Sequence, residues 1–163
     1  VRGFLVYDEG LLLLLRDLRR EGELPASTIF KVSVHMGCAN PLSARVYAEL
    51  GADTINPVPD LDLGMLSGMR AAVSCPLDLF TDTAEEAGGF LRTHDVPEFV
   101  RVAAPVYLKC GAISQPRQNH LPSEDELRER VRQTACVVEM LARHGLGAAQ
   151  VGPTERTLAL PEL

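Results

Sequence analysis

The sequence reads FKVSVH at residues 30–35 and VYLKC at residues 106–110, and these two stretches decide the predicted fold. Each contains one of the only two lysines of the chain, set among residues that favour β-strands. Because strand side chains alternate between two faces, Lys31, Ser33 and His35 are predicted to share one face of their strand, and Tyr107 and Lys109 to share one face of the other. A sheet with one apolar and one polar face is typical of a barrel whose interior carries chemistry, whereas a doubly wound sheet is apolar on both faces.

The composition is that of a soluble globular protein. Hydrophobic residues make up 46% and charged residues 23% of 163 residues, enough for one domain with its own core. The net charge of −6 predicts that nucleic acid is not the partner. The apolar run at 11–15 is too short to cross a membrane, and no secretory signal pattern opens the chain. We therefore expect a cytoplasmic protein.

Predicted strands and helices alternate along the chain. Strands are predicted at 3–7, 30–35, 54–57, 76–80 and 106–109, and helices at 11–21, 41–50, 61–72, 96–102 and 124–144. Asn40 followed by Pro41 marks one helix start, and the pair Ser123 and Glu126 predicts a capping box at another. This alternation predicts a parallel sheet with right-handed crossovers.

The five units predict an α/β fold that is (β/α)-barrel-like, or TIM-type, but partial. A complete barrel has eight units and typically about 250 residues. The alternative, a five-stranded doubly wound parallel sheet, fits the strand count but accommodates Lys31 and Asp78 poorly within strands. Residues 1–150 are predicted to form one βα-repeat domain and 151–163 an irregular C-terminal tail. We expect a longer parent chain, a partner chain or a homo-oligomer to complete the barrel.

Candidate catalytic residues come from the carboxyl ends of the strands, where α/β barrels carry their active sites. They are Lys109, Asp78, His35, Glu9 and Tyr107. A desolvated Lys109 would be a Schiff-base nucleophile or a general base, and the alternative is a structural ion pair with Asp78 or Glu9. Tyr107 is expected to donate a hydrogen bond to developing oxyanion charge.

Four further residues are candidates for substrate binding: Tyr7, Asn56, Asn40 and Arg117. Asn40 opens a helix whose free N–H groups would attract an anion, and the alternative is an ordinary helix cap. Arg117 belongs to a long polar loop at 112–122 that is expected to cover the barrel mouth, unless it is a solvated surface loop.

Asp78, Asp82 and His35 are the candidates for a divalent metal site. Carboxylate oxygens suit Mg²⁺ or Mn²⁺, and an imidazole shifts the preference towards Zn²⁺ or iron. His35 comes from a separate strand, far in the sequence from the two aspartates, so no spacing rule supports the site. In the alternative interpretation Asp82 caps a turn.

Short motifs along the chain resemble peptidase family U-32, the collagenase-like peptidases. They read LGAD at 50–53, NPVPD at 56–60, PLD at 76–78 and PVYLK at 105–109. The resemblance covers about residues 3–150, as the later part of such a bacterial barrel protein. It implies a hydrolase, and members of that family bind an iron–sulfur cluster through four cysteines or act in RNA hydroxylation.

The four cysteines of this chain are Cys38, Cys75, Cys110 and Cys136. No pair has the Cys-x-x-Cys spacing of a zinc or redox site, so we interpret them as reduced thiols. Cys75 is predicted at the start of its strand and Cys136 in the middle of a helix. They are not expected to converge with the other two, and an iron–sulfur cluster is therefore not predicted.

These observations predict an enzyme that acts on a small polar or anionic substrate, a small molecule or a peptide, inside a barrel. The resemblance implies a hydrolase of the U-32 type, and the residues fit a Schiff-base or metal-assisted lyase or aldolase equally well. The alternative is a non-catalytic subunit or fragment that completes a barrel with another chain.

Overall fold

Five strands, each followed by a helix, make up the computed structural model, which describes residues 2–112 and 121–150. The strands are β1 (Gly3–Val6), β2 (Ile29–Val32), β3 (Thr54–Ile55), β4 (Leu77–Phe80) and β5 (Val106–Lys109). The α-helices are α1 (Glu9–Glu21), α2 (Pro41–Glu49), α3 (Leu63–Ala72), α4 (Val96–Ala103) and α5 (Glu124–Arg143). The predicted tail at 151–163 lies outside the described residues.

The order of the strands in the sheet is the order of the sequence, β1-β2-β3-β4-β5, and every neighbouring pair is parallel. A doubly wound sheet reverses direction at a switch point and carries helices on both faces. Sequential order with right-handed crossovers instead places all helices on one face, as in a barrel. Accordingly α2 packs against α3, α3 against α4 and α4 against α5. The predicted partial TIM-type barrel is confirmed, and the doubly wound alternative is wrong.

The core lies between the sheet and this helical layer. One row of aligned residues crosses all five strands: Val6, Val32, Ile55, Leu77 and Val106. The first four are fully buried, as are Leu12, Phe99 and Met69 from the helices above them. Each large apolar side chain buried in this way contributes about 1.5–3 kcal/mol. In each strand the apolar side chains of one face therefore pack against the helices, and the side chains of the other face point away from them.

Local capping residues set the element ends, and they correct one prediction. The capping box of Ser123 and Glu126 is present at the start of α5. Strand β2, however, ends at Val32, because the Ser33 side chain accepts a hydrogen bond from the N–H of His35 and starts a short 3₁₀ turn. His35 therefore does not share a strand face with Lys31. All helices within 2–112 and 121–150 are too short or too polar for a transmembrane segment.

Arg19 of α1 connects the amino ends of two strands. Its guanidinium donates to the carbonyls of Thr28 and Gly51, at 2.7 and 3.2 Å, and forms an ion pair of 2.7 Å with Asp53. The same Asp53 carboxylate accepts the backbone N–H of Phe30 at 2.8 Å. One arginine thus fixes the entry to β2 against the entry to β3.

Arg70 of α3 makes the equivalent connection further along the sheet. Its guanidinium donates to the carbonyls of Val73 and Cys75, which precede β4, and to that of Ala103, which precedes β5. A planar guanidinium with five donors is suited to joining several carbonyls at once. The amino ends of β4 and β5 are therefore also held by a single side chain.

Replacing Asp53 tests the first of these connections. The Asp53→Ala variant leaves the N–H of Phe30 without its acceptor and removes the partner of Arg19, so we expect it to lower the free energy of unfolding by about 1–3 kcal/mol. The control is Asp17→Ala, which removes a carboxylate paired only within α1, with Arg16 and Arg20, and is expected to cost less than about 1 kcal/mol. Urea unfolding measures both values, and equal losses would contradict the connecting role of Asp53.

Candidate functional site

The face of the sheet that points away from the helices carries the candidate site. The strand register aligns Leu5 with Lys31 and Thr54, Asp78 with Tyr107, and Phe80 with Lys109. We call these seven residues the open face. The alternation predicted from the sequence thus places both lysines and Asp78 on one surface.

Asp78 and Lys31 form an ion pair on the open face. Lys31 Nζ lies 3.2 Å from Asp78 Oδ2 and 4.2 Å from the centroid of the Tyr107 ring. Asp78 is only 4% exposed. Its second oxygen, Oδ1, has no hydrogen-bond partner of regular geometry within the described part of the chain, but the buried Thr54 hydroxyl lies close enough to favour the ionised form of Asp78. The carboxylate is therefore directed at Lys31 through one oxygen.

Lys109 is held differently, by groups that carry no charge. Its Nζ donates to Oδ1 of Asn56 at 2.7 Å and lies 4.3 Å from the centroid of the Phe80 ring. Asn56 is buried just beyond β3, and its Nδ2 donates to the backbone carbonyl of Asp78 at 2.7 Å. Among the described residues, the ion pair of Asp78 thus belongs to Lys31 rather than to Lys109.

Burial and mutual charge shift the pKa values of this group. Desolvation lowers the pKa of Lys109; the attraction of Asp78 opposes this shift, and the smaller repulsion of Lys31 adds to it. Desolvation also raises the pKa of Asp78, against the attraction of Lys31 and then of Lys109. The pKa of Tyr107 is raised by burial and then by Asp78, so its hydroxyl keeps its proton at neutral pH. Lys109 is consequently the cation of this group whose neutral form is favoured by its surroundings.

The structure brings together four residues that the sequence analysis selected: Lys109, Asp78, Tyr107 and Asn56. It adds Lys31, which the sequence analysis placed on a polar strand face but not among the catalytic or binding candidates. It also adds Thr54 and Phe80. Strand alternation could have identified Lys31 and Thr54, whereas the ring contact of Phe80 leaves no signal in the sequence.

Three other candidates lie at the ends of β1 and β2, apart from the lysines. The rings of Tyr7 and His35 are stacked, with centroids 5.8 Å apart, and both side chains are exposed. Glu9 begins α1 and lies 3.1 Å from the hydroxyl of Tyr47. In the described part of the chain, no hydrogen bond, ion pair or ring contact joins these three residues to Lys31, Asp78 or Lys109.

Asn40, a further candidate for substrate binding, is not on the open face. Asn40 Oδ1 accepts the backbone N–H groups of Leu42 and Ser43 at 3.0 and 2.9 Å, so its side chain caps α2. This is the ordinary cap that the sequence analysis gave as the alternative. Arg117 lies outside the described residues.

The candidate metal ligands Asp78, Asp82 and His35 do not converge. Within 2–112 and 121–150, no three His, Cys, Asp or Glu side chains are arranged to hold a metal ion. Asp82 Oδ1 accepts the N–H of Gly111 at 2.8 Å and lies 3.1 Å from the hydroxyl of Thr81. Asp82 therefore connects the segments after β4 and β5, and His35 is on an exposed 3₁₀ turn.

All four cysteines are free thiols. Burial raises the pKa of Cys38 to about 11, and burial likewise raises the pKa values of Cys75 and Cys110. Because the thiolate is the reactive form of cysteine, these three side chains are poor nucleophiles at neutral pH.

No family model and no curated protein matches the chain. Similar solved structures include the U32 peptidase Mk0906, with 25% identity over 50% of this chain and a TM-score of 0.42. They also include the YdjI aldolase from Escherichia coli K12, with 17% identity over 89% of this chain and a TM-score of 0.44. A third is the nitroalkane oxidase from Streptomyces ansochromogenes, with 16% identity over 88% and a TM-score of 0.42.

The chain spans only part of these proteins. The matches cover 31% of the U32 peptidase, 57% of the aldolase and 53% of the nitroalkane oxidase. The assignment of the fold rests on the strand order and the single helical layer, and the site is described from the residues themselves.

The raised pKa of Asp78 gives the stability of the protein a pH dependence that Asp78→Asn should remove. Because the folded state binds this proton more tightly than the unfolded state, where an aspartate has a pKa of about 3.9, the contribution to stability is largest below that pH. It is lost as the pH rises through the folded pKa. We expect the unfolding free energy of wild type, relative to Asp78→Asn, to fall as the pH rises above about 4.

Urea unfolding at a series of pH values measures this difference. Asp60→Asn, the same change at an exposed carboxyl group, is the control. Wild-type and Asp78→Asn curves that run parallel across the whole range would show that burial does not perturb Asp78.

Proposed function

We propose that the open face is the active site of an enzyme that forms a Schiff base between Lys109 and a small polar or anionic carbonyl compound. The observation that carries the proposal is that two neighbouring lysines have different partners. Lys31 forms an ion pair with Asp78, whereas Lys109 donates a hydrogen bond to the uncharged amide of Asn56 and lies over the ring of Phe80. A lysine beside a second cation and without a carboxylate partner is suited to act as an amine nucleophile.

The chemistry would begin with the neutral amine of Lys109. Its nitrogen attacks the carbonyl carbon of the substrate to give a carbinolamine. This intermediate takes up one proton, supplied by solvent or by protonated Asp78, and loses water to leave a protonated imine. This cation withdraws electrons from the adjacent carbon, so that a carbon–carbon bond or a carbon–hydrogen bond next to it can break. The reaction class is therefore that of a lyase or an aldolase.

The neighbouring side chains supply what such a reaction needs. Lys31 is about one-third exposed, so its ammonium can meet an anionic group of the substrate while it stays close to Asp78. Tyr107 retains its proton and can donate to a developing oxyanion. Asp78, whose pKa is raised by burial, is the group best placed to accept and return a proton.

We propose that the chain resembles the U-32 peptidases in fold but does not share a peptidase activity. A thiol nucleophile is disfavoured by the raised pKa values of Cys38 and Cys110. His35 is exposed and stacked on Tyr7, and among the described residues no hydrogen bond joins it to either thiol. The lysine chemistry therefore has better support among the described residues than peptide hydrolysis.

Borohydride trapping tests the proposal. Wild-type protein incubated with pyruvate or dihydroxyacetone phosphate and then reduced should gain the mass of one reduced adduct, located on Lys109. Lys109→Arg keeps the positive charge but lacks a nucleophilic amine, so we expect complete loss of trapping.

Lys31→Arg is the matched control, because it makes the same change at the only other lysine. This variant should still be trapped at Lys109. An adduct on Lys31 in the wild-type protein, or none with a broad panel of 2-oxo acids and ketose phosphates, would refute the Schiff-base function.

A second candidate function is favoured by the edges of the sheet. Within the described residues, β1 and β5 each pair with a strand on one side only. Helix α5 presents Leu127, Val131 and Val138 to solvent with exposures of 46%, 70% and 43%. Open edges and apolar helix faces are typical of surfaces that bind another chain. The chain would then act as a subunit that associates with a second copy of itself.

Introducing a charged residue on the exposed apolar face of α5 tests whether the protein is such a subunit or an enzyme that works as a monomer. If α5 holds two copies together, sedimentation of the wild type should show a dimer. Val131→Glu should raise the dissociation constant of this dimer at least tenfold and so increase the monomer fraction. Arg128→Gln, an equal change of charge at an exposed position of α5, should leave the dimer intact. A wild-type monomer at all concentrations would exclude the subunit function.

A further inference from the structure

We infer that Asn56 is a positioning residue for Lys109. Its uncharged side chain accepts a hydrogen bond from the Lys109 amine, in a position where a buried lysine usually has a carboxylate partner. Its meaning for catalysis rests on the proposed Schiff-base function. Its physical effect is a property of Lys109 that can be measured without any substrate.

The amide of Asn56 has its orientation set by the backbone around it. Its Nδ2 donates to the carbonyl of Asp78 at 2.7 Å and lies 3.3 Å from the carbonyl of Pro57. The Asn56 backbone N–H donates in turn to the carbonyl of Val32 at 3.0 Å, which continues the pairing of β3 with β2. With the nitrogen of the amide directed at carbonyls, the oxygen is the atom left to accept from Lys109.

Rotation of this amide by half a turn is strongly disfavoured. It would direct the NH₂ group at the ammonium of Lys109 and leave the buried carbonyl of Asp78 facing an oxygen. Asn56 is 1% exposed, so water is not available to compensate either loss. The orientation of Oδ1 is therefore a consequence of the strand pairing and does not depend on Lys109.

The charges around Lys109 explain why a neutral acceptor matters. Asp78, the nearby carboxylate, is paired through Oδ2 with Lys31, and the other close neighbour of Lys109 is the Phe80 ring. An amide satisfies one N–H of the amine without favouring its protonated form as strongly as a carboxylate would. The geometry thus localises Nζ while its neutral form remains accessible.

Asn56→Asp replaces the amide by a carboxyl group: one oxygen stays in the acceptor position beside Lys109, and the other takes the place of the Nδ2 that donates to the carbonyl of Asp78. An opposite charge in contact typically shifts a pKa by about 1 to 3 units in favour of the charged form. We expect the pKa of Lys109 to rise by at least about 1 unit in this variant, and the neutral amine at a given pH to fall at least about tenfold.

The lysine content of the chain makes this measurement direct. Reductive methylation with ¹³C-formaldehyde labels two lysines and the N-terminal amine, and a pH titration by NMR follows each signal. Lys31→Arg removes one lysine signal and so assigns the other to Lys109. Asn40→Asp, the same substitution at the asparagine that caps α2, is the matched control and should leave the Lys109 titration unchanged.

The outcomes decide the inference independently of the enzyme proposal. A wild-type Lys109 that titrates below the ordinary lysine value of about 10.4, together with a rise in Asn56→Asp only, supports the positioning role even if no substrate is ever trapped. A wild-type value at or above the ordinary one overturns it, and this result needs no variant that folds. A folded Asn56→Asp protein with an unchanged Lys109 titration overturns it as well, even if trapping on Lys109 succeeds.

Discussion

The open face carries one carboxylate and two lysine side chains on a half-buried surface, and its contacts follow from this excess of basic groups. Among the strand residues that the structure describes, Asp78 is the one acid, and Lys31 and Lys109 are the bases. A buried carboxylate needs a partner, and Asp78 obtains it from Lys31. Lys109 must then be stabilised by an amide and a ring. The different chemical characters of the two lysines follow from how this single negative charge is assigned.

The sequence predicts those features that depend on periodicity and capping. Alternation within VYLKC at 106–110 is enough to place Lys109 and Tyr107 on one face, because a strand has no other way to arrange them. Alternating strands and helices predict the sequential sheet, and Ser123 with Glu126 predicts the start of α5. In each case the cause lies within a few residues of the effect, so one sequence is sufficient to find it.

The features that sequence reasoning misses depend on residues far apart in the chain. His35 leaves the predicted strand because Ser33 bonds to the N–H of His35, a local competition that apolar alternation does not reveal. The pairing of Lys31 with Asp78 joins residues 47 positions apart (31 to 78), and the amide that holds Lys109 is 53 positions away. Which lysine receives the carboxylate is decided by the register of strands in three dimensions, and no spacing in the sequence encodes it.

The two arginine connections, at Arg19 and Arg70, lie at the amino ends of the strands, opposite the end where Asn56 lies. Each joins the segments that enter two neighbouring strands, β2 with β3 and β4 with β5. The carboxyl ends are joined as well, because Asn56 donates to the carbonyl of Asp78 and Asp82 accepts the N–H of Gly111. The strands are thus tied where they enter the sheet and again where they leave it. The spacing of the open-face side chains is therefore set by the scaffold before any ligand arrives, which is the condition for preorganised binding.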